Sequence, residues 1–166
     1  MNFNLLNNKK MNKTIIGLDQ EKTESLALSL NGLLSSFQVY YQSLRGLHWN
    51  IKGKSFFELH LKFEEFYTDS QEKIDLIAER ILTLGGKPLH TFADYSENAK
   101  VPVGKNISND VEAVSLVINS LSELLKIERS ILNESDGAND EGTNSMMSDF
   151  IAEQEKTIWM LNSWLN

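Results

Sequence analysis

The chain has 166 residues, a formal net charge of −7, no cysteine, two prolines and nine glycines. One domain is expected at this length, able to bury roughly 70% of its unfolded surface; without cysteine, disulfides, thiolate zinc sites, iron–sulfur clusters and cysteine nucleophiles are excluded. The acidic balance disfavours a surface that grips nucleic acid by charge alone, 41% apolar content disfavours disorder, and histidine chemistry has only His48, His60 and His90 to draw on.

The N-terminal stretch MNFNLLNNKKMNK lacks the apolar run of a signal peptide, and no segment approaches the ~18 apolar residues of a membrane span. A cytoplasmic protein is expected. Met11 is an alternative start to Met1. Residues 1–18 read as a flexible tail and residues 19–166 as one folded domain.

Four long segments carry helical periodicity. The first runs from about Asp19 to Trp49, with the stripe Leu26, Leu30, Leu33, Phe37, Tyr40/Tyr41, Leu44 and Leu47/His48 and with Asp19 as N-cap. The second runs from about Ser55 to Leu84; Ser55 and Glu58 form a capping box, and Gly85, Gly86 and Pro88 stop it. A crossover of about 20 residues follows, in which TFADYSENAK can form a small helix of its own. The third long helix opens at Ser108 and ends near Glu134; the fourth runs from about Thr143 to Leu165 after the loop SDGANDEG. Two helix pairs joined by a long crossover make an all-α, ferritin-like four-helix bundle with a short extra helix between its second and third long helices.

The second helix holds the residues that carry chemistry. With His60 at zero, Glu64 falls at about +40°, Asp75 at about +60° and Glu79 at about +100°, whereas the apolar stripe centres near −80°. Four metal-capable side chains thus share one flank, as two i,i+4 pairs. Lys62, Glu65, Asp69 and Arg80 read as solvated residues further round. The pairs stand roughly 22 Å apart along the helix, so one ion cannot touch both within one chain. A second chain packed antiparallel across a two-fold near Asp69–Ser70 would set His60 and Glu64 against the other copy's Asp75 and Glu79, giving two sites per dimer. His48, one short turn away, can supply a further nitrogen. Imidazoles with carboxylates suit iron or manganese, with zinc as a competitor. No Glu-x-x-His occurs, so a di-iron site within one chain lacks its ligands. His90 reads as a surface residue and Trp49 as a packing residue. Phosphate-binding glycine loops, a Ser-His-Asp arrangement and an EF-hand are not supported by the spacing.

The stretches LHWNIKGKSFFELHLKFEEFY, IDLIAERILTLGGKP and IWML closely resemble the Dps family of mini-ferritins (DNA protection during starvation), with the family spacing kept from about Gly17 onward. The resemblance implies a hollow dodecamer with ferroxidase centres at its two-folds. His48, His60 and Glu64 would come from one subunit, and Asp75 and Glu79 from its neighbour; some members have Asp where this chain has Glu64. Trp49 matches the aromatic beside the centre, where it takes up an oxidising equivalent. The implied reaction is oxidation of Fe(II), preferably by hydrogen peroxide and otherwise by dioxygen, followed by storage of ferric iron inside the shell. This chemistry would protect DNA and the cell from oxidative damage. Asp136, Asp140 and Glu141 are candidate pore acids by loop position and charge. DNA binding would rest on Lys9, Lys10 and Lys13 in the tail, against the repulsion of an acidic shell. A DNA-coating, nucleoid-associated protein with secondary iron chemistry is the alternative function, and a metal-free helical interaction module a third.

Overall fold

Asp19 starts the first helix as the sequence leads one to expect: its carboxylate accepts the Lys22 N–H at 3.0 Å, capping α1 (Gln20–Asn50). The structure, a computed structural model, describes residues 13–166. Within the described residues the other helices are α2 (Phe56–Thr83), α3 (Phe92–Asn98), α4 (Asp110–Ala138) and α5 (Glu141–Leu165), with no strand. No helix there is long and apolar enough to cross a membrane. Residues 13–19 close a turn in which Thr14 N–H donates to the Leu18 carbonyl and Leu18 N–H to Thr14 Oγ1. Lys9 and Lys10 lie outside the described residues.

The four long helices form the expected bundle, and α3 lies in the crossover where the small helix is expected. Contacts between their ends give the directions. Ser25 and Ser29 near the start of α1 bond Glu134 near the end of α4, while Lys52 just after α1 donates to the Ser108 carbonyl just before α4. Arg80 at the end of α2 meets Asp140 at the start of α5, and Trp164 at the end of α5 donates to Glu58 at the start of α2. Helices α1 and α4 are therefore antiparallel, as are α2 and α5. The crossover spans the bundle length because α2 and α4 run the same way. It is laid along α1 by polar side chains: the Asn31 carboxamide donates to the Lys87 carbonyl and accepts from Leu89 N–H, and Ser36 Oγ accepts from Lys100 N–H.

The apolar stripe of α1 packs with those of the other long helices to make the core. Leu26, Leu30, Leu33, Phe37 and Leu44 of α1, Leu59, Phe63, Ile77 and Ile81 of α2, Val114, Val117 and Leu121 of α4, and Met147 and Phe150 of α5 are buried together. Each such side chain contributes roughly 1.5–3 kcal/mol by leaving water.

Several boundaries differ from the sequence reading. The Ser55–Glu58 capping box does not form: Ser55 has φ −88° and ψ 14°, outside the extended geometry that aims a capping hydroxyl, and Glu58 accepts from Trp164 instead. Asn109, not Ser108, caps α4, accepting from Glu112 N–H at 3.0 Å. Helix α4 continues to Ala138 and α5 begins at Glu141, so SDGANDEG is mostly helical. The chain turns at Asn139, which takes the left-handed conformation (φ 54°) at the end of α4.

Asp140 and Arg80 explain that joint. Asp140 is 2% exposed; it accepts from Thr143 N–H, caps α5 and pairs with the Arg80 guanidinium. A Cβ at Gly142 would stand 2.9 Å from Arg80 Nη1, so glycine lets the guanidinium lie against the helix start. Arg80 is therefore not a solvated residue, and Asp140 is not an exposed loop acid. Replacing Asp140 with Ala is expected to lower the unfolding free energy by about 2–3 kcal/mol, because it removes the cap of α5 and the partner of a half-buried guanidinium. Asp136→Asn, at an exposed position, should change it by no more than about 0.5 kcal/mol. Chemical denaturation of the two variants checks the contrast.

Candidate metal centre

Helices α1 and α2 are joined by residues 51–55, where Gly53 (φ +107°) makes the tight reversal and Ile51 anchors the turn in the core. The reversal brings the last turn of α1 beside the first turns of α2, so that His48 and His60 stack with ring centroids 3.7 Å apart and planes 19° from parallel.

Backbone groups fix both rings. The His48 carbonyl would ordinarily accept from the N–H four residues on, but Lys52 N–H goes to Ser108 instead. His60 Nδ1 takes that acceptor at 2.8 Å, and His48 Nδ1 donates to the His60 carbonyl at 2.7 Å. A carbonyl only accepts, so both imidazoles carry their proton on Nδ1 and keep the Nε2 lone pair for an ion. This is the outer hydrogen bonding that orients histidine ligands in metal sites. Phe56 stacks on His60 at 5.1 Å and Tyr67 stands edge-on to His48 at 5.5 Å, so the imidazole pair is held between two aromatic rings.

Glu64 lies one turn after His60 and is exposed. Partial desolvation, with Glu64 as charged neighbour and hydrogen-bond acceptor, raises the Tyr67 phenol above its ordinary value and keeps it protonated. Asp75 and Glu79 lie further along α2, both exposed and without an ion pair among the described residues. Because α2 is unbroken from Phe56 to Thr83, they stay about 22 Å from His60 and Glu64. Among the described residues no three His, Asp or Glu side chains converge on a point within one chain. The fold thus brings His48 and His60 together, sets Glu64 one turn beyond His60 on the same helix, and leaves Asp75 and Glu79 apart.

Trp49 does not serve as a packing residue within the chain. It is 57% exposed, with the Arg45 guanidinium 4.8 Å from its ring centre; the same guanidinium lies 5.4 Å from the Tyr41 ring. His90 is on the surface, its Nδ1 3.1 Å from the Pro88 carbonyl.

Sequence reading misses the aromatic clamp and a second polar group inside the bundle. Phe56 precedes His60 by four residues and Tyr67 follows Phe63 by four, a spacing that already sets them near the histidine flank. Lys73 is 4% exposed between Asp69 and Glu153, so Asp69 is engaged rather than solvated. Its place, about −140° on the helical wheel, lies close to the apolar stripe.

The family model described as a ferritin-like domain matches residues 28–166. The chain is 39% identical over 150 residues to the DNA protection during starvation protein of Porphyromonas gingivalis, covering 90% of this chain and 94% of that protein. An uncharacterized protein of Haemophilus influenzae is 46% identical over 153 residues, covering 92% and 96%. The crystal structure of a Dps protein from Vibrio cholerae, described as a member of a broad superfamily of ferritin-like diiron-carboxylate proteins, superposes with a TM-score of 0.91 at 47% identity, covering 93% of this chain and 97% of that one. A Dps protein from Bacillus brevis superposes with a TM-score of 0.85 at 36% identity, covering 88% and 98%.

The reciprocal carbonyl bonds make a direct prediction. Nitrogen-15 spectra of histidine-labelled protein should show both neutral rings of the pair as the Nδ1–H tautomer. A protonated Nε2 on either neutral ring would contradict the assignment.

Proposed function

The chain belongs to the Dps family of ferritin-like proteins, and from that premise we propose that it oxidises Fe(II), preferably with hydrogen peroxide, and stores the ferric product inside a hollow dodecamer. Iron is substrate and cargo here. The observation that carries the reading is the placing of His60, Glu64, Asp75 and Glu79 on one flank of an unbroken helix. The four are symmetric about the point between Asp69 and Ser70. An antiparallel second copy would set Glu64 against Asp75 and His60 against Glu79, and would do so twice per two-fold. The same flank exposes Phe57, Leu61, Leu76 and Leu82. In that register Phe57 of one copy lies opposite Leu82 of the other, which gives the pairing apolar surface to bury.

The ligand set fits the task. Two imidazoles with free Nε2 atoms hold Fe(II), and three carboxylates favour the harder ferric product. Zinc or manganese would compete for the same donors. Two Fe(II) ions each give one electron to one peroxide, which takes up two protons and leaves as two waters. No odd electron is left for radical release, and Trp49 beside His48 is placed to intercept one that escapes. A shell of twelve chains would carry a formal charge of about −84, drawing cations toward it. Asp136 and Glu141, both exposed, remain candidate pore acids, whereas Asp140 is taken up by Arg80 and Thr143.

Replacing His48 and His60 together with Gly should slow peroxide-driven Fe(II) oxidation by more than about tenfold. Helix content and assembly mass should stay the same. Stopped-flow absorbance, with circular dichroism and light scattering as controls, reads the outcome; an unchanged rate in the intact assembly would remove these residues from the centre. Wild-type protein should consume about two Fe(II) per peroxide, as the electron balance requires.

A further inference from the structure

We propose that Glu128 is a proton-binding site inside the bundle: its carboxyl is a neutral acid that closes a two-way hydrogen-bonded pair with the Gln154 carboxamide. Glu128 is 0% exposed and Gln154 4%. Half of the pair is present as a direct bond, Gln154 Nε2 donating to Glu128 Oε1. Among the described residues, the buried side-chain atoms without a partner are the other two oxygens of the same two residues, Glu128 Oε2 and Gln154 Oε1. If Glu128 is ionised, both are bare acceptors in a site shut off from water, and neither can satisfy the other. One proton on Oε2 turns an acceptor into a donor for Gln154 Oε1 and removes both defects at once.

The surroundings give the carboxylate no committed counter-ion. From α2, Lys73 faces the site, but its ammonium already pairs with Asp69 and with Glu153, the latter at 2.9 Å. From α5, Glu153 adds a further negative charge. On α4, Arg129 points to the surface and pairs with Glu155 at 2.7 Å. From α1, Tyr40 lines the same groove as Gln154, and its phenol is kept neutral by burial and by the charge of Asp69. A metal ion would need more donors than two oxygens, and no three His, Asp or Glu side chains among the described residues converge. The balance matches the geometry: burial pushes the Glu128 carboxyl up to about 7, with Glu153 assisting, while the Gln154 N–H, Lys73 and Arg129 oppose. A groove of about 300 Å³ between α2 and α5 is lined by Lys73 and Gln154 but stops short of Glu128.

Since the folded value lies above the ordinary carboxylate value, the proton stabilises the fold in acid. That contribution is complete below the ordinary carboxylate range and is lost as pH rises through about 7. The α4–α5 contact therefore loosens on the alkaline side.

Isotope-edited infrared titration of the assembled protein tests this. With carbon-13 glutamate, a carboxylic-acid C=O band is expected at about pH 6, where ordinary carboxylates are ionised. It should disappear with a midpoint near neutrality and be absent from Glu128→Gln, whose carboxamide keeps the two-way pair. The same variant should show a flat melting temperature from about pH 6 to 8, where the wild type declines. If the variant does not fold, the wild-type titration decides alone. Absence of the band at about pH 6 would overturn the proposal, since it would mean an ionised Glu128 bridged by water or a cation. A band that persists in folded Glu128→Gln would overturn it as well.

Discussion

Helical rise sets the problem that the rest of the molecule answers. An unbroken α2 keeps His60 and Glu64 about 22 Å from Asp75 and Glu79, so the chain holds two half-sets of candidate ligands. Either half alone offers too few donors for a firm metal centre, which makes assembly part of the proposed chemistry. The nitrogen-bearing half is prepared in advance. A five-residue reversal brings α1 and α2 together, Lys52 gives its N–H to Ser108, and the freed His48 carbonyl orients His60. The His60 carbonyl returns the favour to His48. Neither ring has to reorganise to present Nε2.

Polar side chains inside the bundle work by connecting helices. Asn31 holds the crossover by both sides of its carboxamide, Arg80 locks the end of α2 to the start of α5, and Lys73 joins α2 to α5 through Glu153. Glu128 and Gln154 do the same between α4 and α5. A four-helix bundle with apolar stripes alone could slide in register. These directional contacts, costliest to leave unsatisfied at the buried Lys73, Asp140, Glu128 and Gln154, select one register. The histidine pair and the spacing of the exposed flank depend on that selection.

The long helices, the crossover and the flank of metal-capable residues were legible in the sequence because each is a property of local periodicity. The stripes from Leu26 to Leu44 and from Leu59 to Ile81 are buried as the period requires. The α4–α5 joint was not legible: Gly137 and Gly142 look like loop residues, yet Gly142 answers the approach of Arg80 from another helix. Ser55 and Glu58 have capping spacing, but Trp164, more than a hundred residues away, takes the carboxylate. Asp140 looked like a solvated acid for the same reason, since its partner Arg80 is distant in sequence. Lys73 could have been noticed from its angle on the helix, but its anionic partner Glu153 could not. The tautomers of His48 and His60 depend on carbonyls across a turn, and residue identity says nothing of those.

Each proposed centre is shared between two copies of the chain. That sharing is tested by reassembling two variants together, His48→Gly/His60→Gly and Asp75→Asn/Glu79→Gln, each inactive on its own. In a random mixture half of the two-fold pairs are mixed, and each mixed pair has one site with all its ligands and one with only Glu64. A shared centre predicts recovery of about a quarter of the wild-type rate of Fe(II) oxidation. No gain over the separate variants, with reassembly demonstrated, would contradict it.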